Sequence, residues 1–329
     1  MQHKFGALDL IRAGLQDLDR ARTLFDELHN DGIDDDRMRL LLATLEKACD
    51  PDIALSNLVD IIKVMQSQGK DFTNIIADEN SFVRLITVLG VSDEMGKLMR
   101  FRPELVEAAA NDACESHLYN HEQRRAHVLK SVGADPNDHT MPTASLPLAE
   151  AATALRKTYR KQLAAIMAQD ATANDPIEIQ PRISTELSDL ADAALEGALA
   201  IARHEVDGSE HVRFAIIGMG KLGAQELNYV SDVDLIYVVE PADLDTNGMA
   251  LSRIGTKIAT TLQRVCQSVI MGVAEPTLWQ IDGGLRPEGK DGPLVRRLES
   301  HEAYYEQWAE NWEFQALLKA RPVAGDTDL

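Results

Sequence analysis

Residues 214–240 read Phe214-Ala-Ile-Ile-Gly218-Met-Gly220-Lys221-Leu-Gly223-Ala-Gln-Glu226-Leu-Asn228-Tyr-Val-Ser231-Asp232-Val-Asp234-Leu-Ile-Tyr-Val-Val-Glu240. An apolar run ends in a glycine-lysine turn, a short polar segment follows, and Asp232 and Asp234 open a second apolar run. Alternate residues of a strand share a face, so the two carboxylates are expected to project together. Two carboxylates at a strand mouth, facing a turn whose backbone N–H groups can cradle phosphate, form a pattern that can grip divalent cations around a nucleotide. Mg²⁺ takes such hard oxygen ligands together with water and substrate phosphates.

A rival reading uses the same residues. Gly218-Met-Gly220-Lys221-Leu-Gly223 fits the G-x-G-x-x-G dinucleotide pattern, with Glu240 at the distance of a ribose-binding acid. Only ten residues separate Gly223 from Asp234, and they include Asn228, Ser231 and Asp232. A crossover between parallel strands needs about a dozen or more residues, most of them helical. Hydride transfer also has no use for Asp-x-Asp at a strand entrance.

Working outward, the nucleotidyl-transfer pattern wants a third carboxylate on a neighbouring strand. Asp282, closing Trp279-Gln280-Ile281-Asp282, suits it, and Arg286, four residues on, can offset charge on phosphoryl oxygens. The expected strands are Phe214–Ile217, Leu235–Val239, Leu278–Asp282 ended by Gly283-Gly284, and Pro293–Leu298. Leu251, Ile254, Ile258, Leu262, Val265 and Val269 mark an amphipathic helix between the second and third. Ser300 is expected to cap a helix carrying Tyr305, Trp308, Trp312 and Leu317, with both tryptophans in the core.

Before Gly208 the periodicity is helical. Leu8, Ile11, Leu15 and Leu18 recur at helical spacing, as do Leu41, Leu42 and Leu45. Arg102-Pro103 restarts a helix. Two longer helices are expected over Leu148–Ala168 and Thr185–His204, the second capped by Ser184 or Thr185. Asp34-Asp35-Asp36 reads as a charged loop or helix start. His117 and His121 stand four apart, yet no third ligand occurs at helical spacing, so they read as a solvated helix face. The fold expected is α+β: a helical domain over 1–180, then a nucleotidyltransferase-type domain over 181–329 with a small mixed β-sheet flanked by helices.

The chain has 329 residues, an ordinary 45% apolar content and a formal charge of −20. That charge argues against a general nucleic-acid binder, although Arg286, Lys290, Arg296, Arg297, Lys319 and Arg321 group late enough for a local anion site. Cys49, Cys114 and Cys266 are odd in number and widely spaced, which suggests neither a disulfide framework nor a zinc site. No apolar run reaches the roughly 20 residues of a membrane span, and Met1-Gln-His-Lys-Phe-Gly lacks a signal-peptide core. A cytoplasmic protein is expected.

Gly218-Met-Gly-Lys-Leu-Gly-Ala-Gln-Glu-Leu-Asn-Tyr-Val-Ser-Asp-Val-Asp-Leu-Ile236 and Asp282-Gly-Gly-Leu-Arg-Pro-Glu-Gly-Lys-Asp-Gly-Pro-Leu-Val295 resemble the glutamine synthetase adenylyltransferase/adenylyl-removing enzymes. Trp312-Glu-Phe-Gln-Ala-Leu-Leu-Lys-Ala-Arg-Pro-Val-Ala-Gly-Asp326 is similar to the segment that comes next in that family. Leu155-Arg-Lys-Thr-Tyr-Arg-Lys-Gln-Leu163 and Glu186-Leu-Ser-Asp-Leu-Ala-Asp-Ala-Ala-Leu195 also look like it. The resemblance is specific over about 145–329 and looser before.

Members of that family join two nucleotidyltransferase domains through a helical regulatory region. One domain removes AMP from a tyrosine of glutamine synthetase by phosphorolysis; the other attaches it from ATP. With one helical region before one motif, the chain looks like the N-terminal, adenylyl-removing half. AMP attachment, or a non-catalytic partner-binding piece, stays open. The resemblance implies Asp232, Asp234 and Asp282 as ligands for Mg²⁺ or Mn²⁺, and Gly218, Gly220, Lys221 and Ser231 around nucleotide phosphates. It also implies glutamine synthetase as protein substrate, with nucleotide and phosphate, and regulation by PII signalling proteins. Lys319 and Arg321 match the family, which implies that they bind nucleotide phosphate; both are also expected at a helix end, where cations suit the dipole. Glu226 and Asn228 match it too, with helix capping an equal alternative. Gly284 stands where some relatives carry a basic residue.

Overall fold

The computed structural model describes residues 5–70, 72, 75, 77–110, 119–242 and 248–329. The chain folds as two compact units, 1–118 with 160–180, and 119–159 with 181–329. The sequence reading kept 119–159 with the helical region. Their long-range partners place them in the second unit: Arg124 pairs with Glu186, and Arg125 with Glu196.

The first unit holds α1 (Ala7–Arg12), α2 (Leu18–Asn30), α3 (Asp35–Leu45), α4 (Pro51–Ser67), α5 (Glu79–Val91), α6 (Asp93–Phe101) and α7 (Pro103–Ala110). Short polar side chains start most of them by accepting an orphan N–H. Asp17 caps α2, Asp34 caps α3, Asp50 caps α4, Asp78 caps α5 and Ser92 caps α6. The acidic run at 34–36 is therefore a helix start, and Pro103 opens α7 as expected. Leu28, Leu41, Leu58, Ile61, Phe82 and Leu85 form the core of this unit.

The second unit adds α8 (His121–Ser131), α9 (Leu148–Ala171), α10 (Pro176–Glu205), β1 (Val212–Gly218), α11 (Gly220–Gly223), β2 (Val233–Pro241) and α12 (Gly248–Gln267). Then come β3 (Ile281–Asp282), β4 (Val295–Arg296), α13 (Leu298–Gln307), α14 (Asn311–Leu317) and β5 (Arg321–Gly325). Boundaries between the units fall inside α9, after Tyr159, and inside α10, after Gln180.

The sheet runs β3-β2-β1-β5, with β4 also paired to β2. β1 is antiparallel to β2 and to β5, whereas β3 and β4 run parallel to β2. This mixed sheet with flanking helices is the α+β architecture expected. The antiparallel β1–β2 pair rules out the dinucleotide reading, which needs a parallel crossover.

Several elements differ from expectation. Helix α10 begins nine residues before Thr185, at Pro176, with the Asp175 carboxylate accepting from Ile177 and Glu178 N–H. Ser184 and Thr185 sit inside it, where each can bond a preceding carbonyl; Thr185 does so to Pro181. The strands expected over Leu278–Asp282 and Pro293–Leu298 shrink to two residues each. β5 was not anticipated, because its proline reads as a breaker; on an edge strand a proline need not donate.

The stripe on α12 is buried from Leu251 to Val265, but the helix ends at Gln267 and Val269 is exposed. Ser300 does not cap α13. The Glu240 carboxylate accepts from Leu298 N–H at 3.0 Å instead. Trp308 and Trp312 are 72% and 51% exposed, not core. Cys49 and Cys266 are free thiols, and Cys114 lies outside the described residues. Among the described residues no helix is long and apolar enough to cross a membrane.

Candidate functional site

The apolar residues of β1 and β2 are buried, which drives the strands together and delivers the turn after β1 and the mouth of β2 to one end of the sheet. Met219 N–H donates to the Asp234 carbonyl at 2.8 Å, so the glycine-lysine turn starts against the second aspartate. Gly220 has φ +53°, and a Cβ built there would stand 2.6 Å from Asp234 Oδ2. Only glycine adopts that conformation cheaply and allows that approach.

Parallel pairing of β2 with β3 puts Asp234 opposite Asp282 and Val233 opposite Ile281. Asp232, two residues before Asp234, is exposed, while Asp234 and Asp282 are half-buried. Burial pushes the Asp234 carboxyl above its usual range, the charges of Asp232 and Asp282 push it the same way, and Lys221 opposes them. The three acids thus share one electrostatic neighbourhood, which the Lys221 charge offsets only in part. They do not all bring a ligand oxygen within 4.8 Å of one another, and Asp282 Oδ1 accepts from Gly284 N–H at 2.6 Å. All-carboxylate donors, mutual repulsion and a turn with no room for a Cβ beside Asp234 fit a hard divalent cation such as Mg²⁺ or Mn²⁺.

The other residues singled out by sequence divide. Gly218 is buried at the end of β1, Lys221 is exposed on the turn, and Ser231 is partly exposed just before Asp232. Arg286 does not face the acids through an open guanidinium: its nitrogens donate to the carbonyls of Gly283, Lys290 and Gly292, which staples the loop after Asp282. Lys319 pairs with Glu226 at 2.7 Å. Arg321 is not at a helix end; it opens β5 and pairs with Asp192 at 2.6 Å.

Sequence reasoning quoted Asp189 and Asp192 only within a family-like segment and gave neither a role in a site. His121 is not simply a solvated residue, because its Nε2 lies 3.6 Å from Asp192 Oδ2. His121, Asp189 and Asp192 are, among the described residues, the set of three whose ligand atoms all fall within 4.8 Å. The Asp192 carboxylate draws the His121 imidazole upward in pKa, and burial raises the Asp189 carboxyl. The third ligand sought for His121 comes from another helix, which a search at helical spacing cannot reach. His117 lies outside the described residues.

Residues 82–329 match the sequence profile of the family described as glutamate-ammonia ligase adenylyltransferase. A bifunctional glutamine synthetase adenylyltransferase/adenylyl-removing enzyme of Bifidobacterium longum (strain DJO10A) is 72% identical over 326 residues, covering 99% of this chain and 30% of that protein. The proteins of the same description from Cutibacterium acnes and Corynebacterium glutamicum are 40% and 38% identical, over 98% and 88% of this chain. The chain spans about 30% of the length of these curated relatives.

Proposed function

The chain belongs to the glutamate-ammonia ligase adenylyltransferase family, and from that premise we propose that it removes AMP from an adenylylated tyrosine of glutamine synthetase. Inorganic phosphate attacks the α-phosphorus, the phosphorus–oxygen bond to tyrosine breaks, and ADP leaves. The observation that supports nucleotidyl transfer, in either direction, is that Asp234 lies opposite Asp282 across parallel strands while Gly220 backs directly onto its carboxylate. A nucleotide phosphate held by the turn would then lie beside the acids.

Asp232, Asp234 and Asp282 are the residues that would hold Mg²⁺ or Mn²⁺, which when bound would offset charge on the phosphoryl oxygens and on the oxygens entering and leaving in line. Backbone N–H groups of the turn and Lys221 orient the phosphates, and Ser231 adds a hydroxyl at the mouth of β2. Phosphate arrives ionised, so no strong base is needed. Asp282 is assigned the place nearest the tyrosine oxygen. Arg286 holds the 283–292 loop that carries Asp282, a role supported by its bonds to loop carbonyls. Regulation through PII proteins and a cytoplasmic location go with this reading.

The test is to incubate the chain with adenylylated glutamine synthetase, phosphate and Mg²⁺. ADP release that disappears in Asp232→Asn and Asp234→Asn is the expected result. Incorporation of AMP from ATP into unmodified glutamine synthetase, without ADP release, would transfer the assignment to the opposite reaction. Neither activity, with binding to glutamine synthetase insensitive to both substitutions, would leave a non-catalytic binding piece.

A further inference from the structure

Arg321, the first residue of β5, directs its donor fork two ways. Nη1 and Nη2 reach the two carboxylate oxygens of Asp192 on α10 at 2.6 and 3.2 Å. Nε and Nη2 reach the carbonyls of Gly223 and Leu222 at 3.2 and 3.0 Å. Those are the last carbonyls of α11, where orphan acceptors gather; Leu222 O also accepts from Gln225 N–H at 3.2 Å. The Asp192 side chain has no exposure and that of Arg321 is 26% exposed. A bidentate pair in that setting is strong, and removing one partner leaves a buried charge uncompensated.

The same stretch of α10 ties down the chain beyond the turn. Asp189 Oδ1 accepts from Gln225 Nε2 at 3.1 Å, and Ser188 Oγ accepts from Leu227 N–H at 3.3 Å. Gln225 has φ +57°, a conformation that persists only where surroundings over-determine it. At Gly223 a Cβ would stand 1.9 Å from the Lys319 carbonyl, so the lead into β5 lies hard against the turn. The opposite end of the same four-residue helix is Gly220, against Asp234. So short a helix moves as one piece.

We infer that Arg321 and Asp192 are positioning residues: they clamp the C-terminal end of α11 and so set Gly220 and Lys221 against Asp234. This rests on the proposed function in taking that turn as the holder of substrate phosphate. The pair itself touches no substrate, and Arg321 is a brace for the phosphate turn, not a phosphate ligand.

Arg321→Lys keeps the charge but loses the fork. Arg213→Lys is the control, since it weakens the other arginine–aspartate pair of this sheet, Arg213–Asp326, which does not touch the turn. Amide hydrogen exchange over Met219–Gln225 should rise about tenfold or more in Arg321→Lys, with strands β1 and β2 unchanged. It should match wild type in Arg213→Lys. With adenylylated glutamine synthetase, phosphate and Mg²⁺, kcat of Arg321→Lys should fall on the order of 10- to 100-fold. KM for the protein substrate should stay within about twofold.

Asp192→Asn, nearly the same shape, should loosen the same amides, and replaces the lysine variant should that one fail to fold. Turn exchange equal to wild type, a uniform rise across the second unit, or equal kcat losses in Arg321→Lys and Arg213→Lys would overturn the clamp. Should the wild-type chain release no ADP, the proposed function fails, while the exchange comparison alone still decides the clamp.

Discussion

Asp234 carries a charge that the fold disfavours. Its carboxyl is raised by burial and by two neighbouring acids, so the ionised form costs stability at neutral pH; the contribution is fully favourable only below the unfolded pKa and is lost as pH climbs through the folded value. Asp234→Asn should therefore stabilise the metal-free protein by up to about 1 kcal/mol in urea unfolding at pH 7, while abolishing ADP release. A loss of stability would show that the carboxylate is a structural ligand. Gly220→Ala meets the reverse fate. A Cβ 2.6 Å from Asp234 Oδ2 at φ +53° should cost about 1–2 kcal/mol of strain and lower kcat on the order of 100-fold; near wild-type kinetics would show that the turn need not lie so close. The residue types of this site were legible because Asp-x-Asp and Gly-Lys are local. The partners of Arg286 and Arg321 were not, since a charged side chain in sequence shows its charge and never its acceptor.

Most helix identities and those of β1 and β2 followed from periodicity, β5 did not, and the ends of elements were set by tertiary partners. Glu240 shows the difference: read locally it could bind a ribose, yet it caps α13 from across 58 positions. His121 gives the testable case. It opens α8 beside Asp192 and Asp189 of α10 and Glu122 of its own helix, and its pKa is raised. A raised folded pKa means stability present below the unfolded value near 6.5 and lost as pH rises through the folded one. The side chain is 43% exposed, so solvent screening keeps the effect below about 1 kcal/mol. His121→Ala should lower the urea midpoint at pH 5.5 and leave it nearly unchanged at pH 9. An equal loss at both values would assign His121 a packing role only.

For the whole molecule, the second unit needs residues that stand well before its motif, as far back as Arg124. Arg156, 1% exposed, donates to the carbonyls of Val265, Ser268 and Glu275. Arg124 and Arg125 add ion pairs to Glu186 and Glu196. A chain of residues 181–329 would leave those carbonyls without Arg156 and strip Glu186 and Glu196 of Arg124 and Arg125, at about 1–3 kcal/mol for each buried group. It should lack a cooperative urea transition, whereas residues 119–329 should keep one. Cooperative unfolding of 181–329 by itself would return 119–159 to the helical region.

The sequence alone determined the α+β class, the glycine-lysine turn at Gly220 and the helix start at Asp34, because each depends on backbone periodicity or on neighbours within a few residues. Tertiary structure alone decided that Asp282 pairs with Asp234 in register and that Asp192 receives both His121 and Arg321. Those pairings join residues far apart in the chain. Which distant groups meet is set by how buried faces pack against one another, and no local pattern of side chains encodes that.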